Sequence, residues 1–320
     1  MKKFSFPLAG AVAAVFFALS GCSKADEMLP SIAAIAVANP DFQELEDAAV
    51  RGDVAVLLSN KAPDGGDYTV FAPTNAAFAR LGLNTAADLA ALDRGFLRTT
   101  LFYHVAGGRI AGAALTSGST PASALGATVT RRIIVRGADK YVNGSKILAT
   151  DVQAANGLVH PIDKVLLYGG GNIVETAVAL TQGKVFVQPE LTFLVRAVVR
   201  CNLAGALSGA GPFTVFAPTD KAFADFGITT FAQLDAVPVA ALTNILAGHV
   251  LAGPLGNKFT PELPDGTTVT TLGGSTLALG AFADGKLTVK GTANTMPANM
   301  TIPDVQCTNG VVHVIDKILN

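Results

Sequence analysis

The sequence of 320 residues contains no tryptophan, four tyrosines, four histidines and three cysteines, and only 15% of it is charged. Each scarcity excludes something. Three cysteines cannot build a disulfide-dense scaffold, and no Cys-x-x-Cys spacing offers a zinc ribbon. A formal net charge of −1 provides no basic face of the kind a phosphate backbone requires, which argues against nucleic acid as a partner. The apolar run at residues 8–19 stops at twelve, short of the ~20 residues a bilayer-spanning helix needs. Gly-x-Ser-x-Gly, His-Glu-x-x-His and phosphate-loop patterns are all missing. The chain therefore reads as a non-enzyme with no metal site and no cofactor.

What the chain does have is repetition. Its 50% hydrophobic content comes largely from alanine and valine, with 33 glycines, so small buried side chains explain the hydropathy. Thr69-Val-Phe-Ala-Pro-Thr-Asn-Ala-Ala-Phe78 returns as Thr214-Val-Phe-Ala-Pro-Thr-Asp-Lys-Ala-Phe223. Asn156-Gly-Leu-Val-His-Pro-Ile-Asp-Lys-Val-Leu166 returns as Asn309-Gly-Val-Val-His-Val-Ile-Asp-Lys-Ile-Leu319. Thr69 maps on Thr214 and His104 on His249, both 145 residues on, whereas Asn156 maps on Asn309 at 153. The second copy thus carries eight extra residues, placed mostly within 292–301 by the match of Val142-Asn-Gly144 to Val289-Lys-Gly291. Self-similarity at one domain length means a duplicated folding unit, each copy expected to bury its own interior.

Within each copy, apolar residues at helical spacing occupy residues 41–58 and 191–207. A Gly/Pro turn follows, then a Thr-Val-Phe strand that Ala-Pro halts, because proline cannot donate to a ladder. Thr74 with Asn75, and Thr219 with Asp220, supply oxygen-bearing side chains where a helix must start, and predict N-caps. Helices continue to His104 and His249, after which β-branched runs divided by glycine take over, among them residues 128–135 and 267–272. Helices first and strands second imply an α+β fold.

The four boxes, in order, resemble the two signature boxes of the fasciclin domain family, twice over. The resemblance implies two tandem fasciclin-like domains, each a wedge-like β-sandwich with helices packed along one side. The expected organisation is a signal segment at 1–21, a short tether at 22–30, and domains at 31–168 and 169–320, with the seam at Tyr168-Gly-Gly-Gly-Asn172. The family's adhesion has been associated with a Tyr-His pair after the long helix and with residues beside the second box. That points to Tyr103 and His104, and to His249, although Gly248 replaces the tyrosine in the second copy; the other reading of Tyr103 is a core residue with its hydroxyl satisfied.

The start of the chain reads as a targeting segment: Lys2 and Lys3, the apolar run, then Leu19-Ser-Gly-Cys22, which resembles a bacterial lipoprotein cleavage box. Cys22 is then the lipidation site, and Ser23 in place of aspartate implies outer-membrane retention in the cell envelope. Cys201 and Cys307, both in the second copy, are expected to form a disulfide in an exported protein, with two isolated buried thiols as the alternative.

All four histidines fall in repeat-matched pairs, His104 with His249 and His160 with His313. A duty performed once per domain gives that pattern, so they read as buried structural imidazoles. Asp163 and Asp316, three residues after a histidine, read as backbone pins, and Asn156 and Asn309 open the second box as structural residues. Arg51-Gly-Asp53 spells an integrin tripeptide but lies in a helical stretch and reads as coincidence. The sequons at Asn143 and Asn299 carry no expected role, and Met296 with Met300 read as gap-filling. The expected function is a lipid-anchored binding or adhesion module whose partner is a cell-surface or matrix protein or polysaccharide. The other reading is a carrier for a hydrophobic small molecule such as a lipid or carotenoid.

Overall fold

A computed structural model describes residues 29–182 and 190–320. The expected signal segment and Cys22 lie outside the described residues, as does most of the tether. Each copy is built around two parallel strands, one from each signature box. Tyr68–Pro73 pairs with Gly157–Ile162, setting Phe71 opposite His160; Phe213–Pro218 pairs with Gly310–Ile315, setting Phe216 opposite His313. Successive side chains on a strand point to opposite faces. Val70, Ala72 and Val159 therefore join the helix-side core with Leu45 and Ala48, while Phe71 and Ile162 join the opposite core with Ile133 and Val142. The second copy divides likewise: Val215, Ala217, Val312 and Val314 face the helices, Phe216 and Ile315 face the sheet side. Strands covered on both faces are buried throughout, as parallel pairs usually are. The fold is α+β, a wedge of sheets with helices along one side of each copy.

The copies differ in how the sheets join. In the first, a four-stranded sheet ordered Val105–Gly107, Tyr68–Pro73, Gly157–Ile162, Val152–Ala154 is separate from a two-stranded hairpin and a three-stranded meander. In the second, the extra residues lengthen one strand to Ala298–Cys307, which pairs with both Gly310–Ile315 and Thr288–Gly291. Seven strands of this copy form one sheet, which an eighth from the first copy joins. Register shifts between Met300 and Val305 let this strand bend from one partner to the other.

The run at 41–58 is not one helix but three short ones, Pro40–Phe42, Gln43–Arg51 and Ala55–Ser59. Asp53 at φ 59 breaks it, and Asn202 at φ 54 breaks the matching run into Thr192–Arg200 and Ala204–Leu207. Short polar side chains tolerate the left-handed conformation better than other residues do. The run at 128–135 is also divided, into Gly126–Thr130 and Ile133–Arg136, by Arg131 and Arg132.

The seam is more than a linker. Leu167–Tyr168 pairs in parallel with Val305 and Gln306, adding a strand from the end of the first copy to the sheet of the second. The chain then enters the helix Ile173–Leu180 through a capping box made by Asn172 and Glu175. The expectation of two separate interiors does not hold: on the sheet side Ile134 and Tyr141 of the first copy pack with Phe259 and Val311 of the second. On the helix side both copies share one apolar cluster that takes in Leu167 and Ile173 from the connection.

Candidate functional site at the domain seam

The repeat-matched asparagines and histidines make matching contacts in the two copies. Asn156 Oδ1 accepts from Ile32 N at 2.8 Å while Nδ2 donates to Leu58 O and Asn60 O. Asn309 does the same with Ile173 N, Leu207 O and Gly209 O. Each asparagine thereby ties the start of one helix to the end of another across the second-box strand. His104 donates from Nδ1 to Thr100 O at 2.7 Å and accepts at Nε2 from Leu166 N at 2.9 Å; His249 repeats this with Ile245 O and Leu319 N. A ring that donates at one nitrogen and accepts at the other is neutral. Burial accordingly pushes both rings down to about 4. His160 and His313 use the other tautomer, accepting from Asp151 N and Asp304 N and donating from Nε2 to Ile110 O and Lys258 O. Among the described residues no group of three His, Cys, Asp or Glu side chains is placed to hold a metal ion.

The box residues divide their work in a way the sequence did not show. Thr219 caps its helix, accepting from Ala222 N at 3.0 Å, but Thr74 makes no side-chain cap bond. Asn75 instead accepts from Glu44 N and donates to Pro40 O, and Asp220 accepts from Phe193 N and from the Thr192 hydroxyl. These two side chains satisfy the N-terminus of a neighbouring helix, not their own. Asp163 accepts from Lys146 N and pairs with Arg80, and Asp316 clasps both the backbone and the amide of Asn299.

Tyr103 is not a surface contact. Its side chain is fully buried, His104 and His249 nearly so, and none of the three is available to a macromolecular partner. Burial raises the tyrosine hydroxyl above its ordinary range. That hydroxyl donates to Gln306 Oε1 and accepts from Asn143 Nδ2 at 2.5 Å, while Asn143 also reaches Gln306 at 2.8 Å. Tyr103 therefore links the two domains from inside. Asn143, at φ 48 and buried, cannot act as an exposed sequon.

Charged ties flank this cluster. Lys164 donates to Asp304 at 2.9 Å within the seam. Arg132 takes Glu262 at 2.8 and 3.0 Å and also donates to Asn257 O, while Arg136 reaches Asp265 at 2.6 Å. Beneath them, Arg131 is fully buried, with four backbone carbonyls as acceptors and the faces of Phe71 and Tyr103 beside it. Burial lowers its guanidinium to about 10. Sequence reasoning missed Arg131, Lys164, Asp304 and Gln306. An arginine inside a β-branched run was the available signal for Arg131. Nothing local marked the others.

The expected disulfide is absent: Cys201 and Cys307 are both free. The Cys307 thiol is buried 3.3 Å from the Thr176 hydroxyl, and Cys201 ends the helix Thr192–Arg200 facing Val239 O, so each sulfur has its own neighbour. Burial pushes the Cys307 thiol up to about 12. Arg51 ends its helix and donates to Leu92 O at 2.9 Å, whereas Gly52 and Asp53 form the turn that follows, with the Asp53 side chain exposed. Met300 packs on the sheet-side core of the second domain whereas Met296 is exposed, so only the former fills a gap.

The sequence model of the fasciclin domain matches residues 40–168 and again 189–320. The chain belongs to the fasciclin domain family. It is 30% identical over 256 residues to the pig transforming growth factor-beta-induced protein ig-h3, a match covering 79% of this chain and 35% of that protein. The chain thus spans about a third of that relative. A Synechocystis protein, sll1735, is 39% identical over 152 residues, covering 46% of this chain and 96% of its own length. The immunogenic protein MPB70 of Mycobacterium bovis is 31% identical over 186 residues, 51% of this chain and 93% of the relative. Among solved structures, a FAS1 domain pair from the insect cell adhesion molecule fasciclin I aligns with a TM-score of 0.40 and 18% identity, over 90% of this chain and 95% of that one.

Proposed function

We propose that this fasciclin-domain chain is a non-catalytic adhesion or binding module, held in a bacterial envelope by lipid on Cys22. The observation that carries the reading is the use made of the reactive side chains. All four histidines have both ring nitrogens engaged with backbone groups, which leaves shape and surface polarity as the means of recognition. Ties across the seam present two domains as one unit, so contacts made by each domain combine without a flexible-linker penalty. Display on a membrane multiplies that effect. Beads coated with the chain are expected to attach to cells or to envelope polymer, and attachment no greater than that of albumin-coated beads would sink the reading. Radiolabelled palmitate incorporated by the native chain but not by Cys22→Ser tests the anchor.

A specific crevice favours the second reading, a carrier of apolar molecules. In the second domain, Val174, Val178, Val195, Val199, Leu207 and Leu272 help to line a cavity of about 110 Å³ between helices. Val178, Val199 and Leu272 are exposed at its rim. A space of this size takes a short acyl segment, not a whole carotenoid. Native mass spectrometry of protein purified from its own host decides between the readings: a retained small mass supports the carrier, and a bare chain removes it.

A further inference from the structure

We propose that the polar groove running along the seam binds a neutral saccharide. This rests on the binding-module reading and names the chemistry that such a module meets. The groove has a volume of about 350 Å³ and draws its walls from both domains. The first contributes Thr120, the end of the strand Gly126–Thr130 and Tyr168, and the second contributes the segment around Asn257 and the end of Ala298–Cys307. Its volume falls within the ~300–1,000 Å³ typical of small-molecule sites, but its lining does not follow their usual apolar character.

The distinguishing feature is a set of uncommitted hydroxyl and amide groups. Among the described residues, the side chains of Thr120, Thr128, Thr130, Thr308, Tyr168 and Asn257 make no hydrogen bond to protein, although all six border the groove. A sugar ring offers hydroxyls that both donate and accept, and threonine, tyrosine and asparagine side chains can answer in either sense. An apolar ligand would strip water from these groups without replacing it, at a cost of roughly 1–3 kcal/mol for each one buried. An anion finds no free counter-charge, because Arg132 is already engaged with Glu262 and Asn257 O. Flat apolar surface for the C–H face of a sugar comes from Tyr168, stacked on Tyr103 at 5.2 Å between centroids, and from the neighbouring Val129.

The groove is also held open before any ligand arrives. Gln306 at its floor donates to Thr130 O across the seam while accepting from Tyr103 and Asn143. Arg132 fixes the Asn257 wall. A preformed polar frame lowers the ordering cost that otherwise weakens sugar binding.

The test uses the full chain carrying Cys22→Ser, an array of neutral oligosaccharides, and saturation-transfer NMR on whichever glycans the array retains. Binding to at least one neutral glycan is expected, with Thr128→Val and Asn257→Gly each weakening it at least about fivefold by removing one partner of a buried polar contact. Glycine accepts the φ of 56 at position 257, and unchanged unfolding midpoints in both variants confirm that the fold is intact. No glycan retained, or retention undiminished in both variants, overturns the proposal and identifies the groove as a solvated seam. Bead attachment measured on the same variants separates the two readings. Attachment that persists without glycan binding leaves the adhesion module standing and removes the groove, whereas glycan binding by beads that do not attach does the reverse.

Discussion

The Lys164 ammonium of the first domain lies 2.9 Å from the Asp304 carboxylate of the second, with side-chain exposures of 9% and 7%. Asp304 sits at φ 67, its oxygens also taken by the backbone amide and hydroxyl of Thr260. Burial alone would raise this carboxyl, but the Lys164 ammonium and the Thr260 amide hold it below its ordinary value. Its repeat counterpart, Asp151, has the same left-handed backbone at φ 64 and donates its amide to His160 as Asp304 does to His313. The duplication supplied both aspartates, and only the stacking of one copy on the other gave Asp304 a lysine.

Breaking this pair from one side leaves a buried charge without a partner. Lys164→Met or Asp304→Asn is therefore expected to cost ~3–5 kcal/mol of stability, while the double variant recovers most of that loss. Urea unfolding of the four proteins measures the coupling. Additive losses in the double variant would mean that the two groups do not interact.

The paired asparagines predict a symmetric result. Asn156→Ala and Asn309→Ala each delete three buried or part-buried hydrogen bonds and leave backbone groups unsatisfied, so each should lower stability by ~2–4 kcal/mol. The chemical-denaturation midpoints should fall for both, by similar amounts. A change near zero at either site would remove its structural role.

Acid should destabilise the protein through His104 and His249. Burial holds each ring at about 4 in the fold, below the ordinary histidine value of 6.5, so between these limits the unfolded chain binds more protons. Stability is fully present above pH 6.5 and is lost as pH falls towards 4, by an order of ~3 kcal/mol per ring. Melting temperature followed across this range should drop, and a His104→Gln, His249→Gln variant should show a shallower pH slope from a lower starting point. An equal slope in the two proteins would assign the acid sensitivity to other groups.

The free cysteines give a chemical test. Cys201 is partly exposed, whereas Cys307 is buried with its thiol pushed up to about 12. Thiolate is the reactive form. Maleimide at pH 7 should therefore label one of these two sites in the native chain and both after unfolding, and reducing agent should leave the melting temperature unchanged. A melting point that drops on reduction would restore the disulfide.

Repetition made much of the fold legible. Two boxes per copy fixed the domain family, and within each copy Thr-Val-Phe followed by Ala-Pro located the central strand at Tyr68–Pro73 and Phe213–Pro218. The pairing of histidines foretold buried, backbone-bonded rings. What failed did so for local reasons with distant causes. The helix at 41–58 broke at Asp53 because a single left-handed residue does not disturb apolar periodicity. Tyr103 is the core residue with a satisfied hydroxyl that one of its two readings expected, but nothing near it in sequence reveals that Gln306, some two hundred positions away, meets that hydroxyl.

The sequence by itself determined that one α+β unit was used twice, because spacing and side-chain type repeat wherever the same backbone groups need satisfying. The tertiary structure decided how the copies meet: which lysine finds which aspartate, which tyrosine closes the seam, and where a polar groove stays open. Repetition alone does not foretell those outcomes: Lys164 matches Lys317, Asp304 matches Asp151 and Gln306 matches Gln153, yet only Lys164, Asp304 and Gln306 reach across the seam. Other seam residues have no like counterpart: Gly248 stands at the position matching Tyr103, and Lys290 at the position matching Asn143. Contact energies between such positions exist only once the two wedges are stacked, so no periodicity along the chain records them.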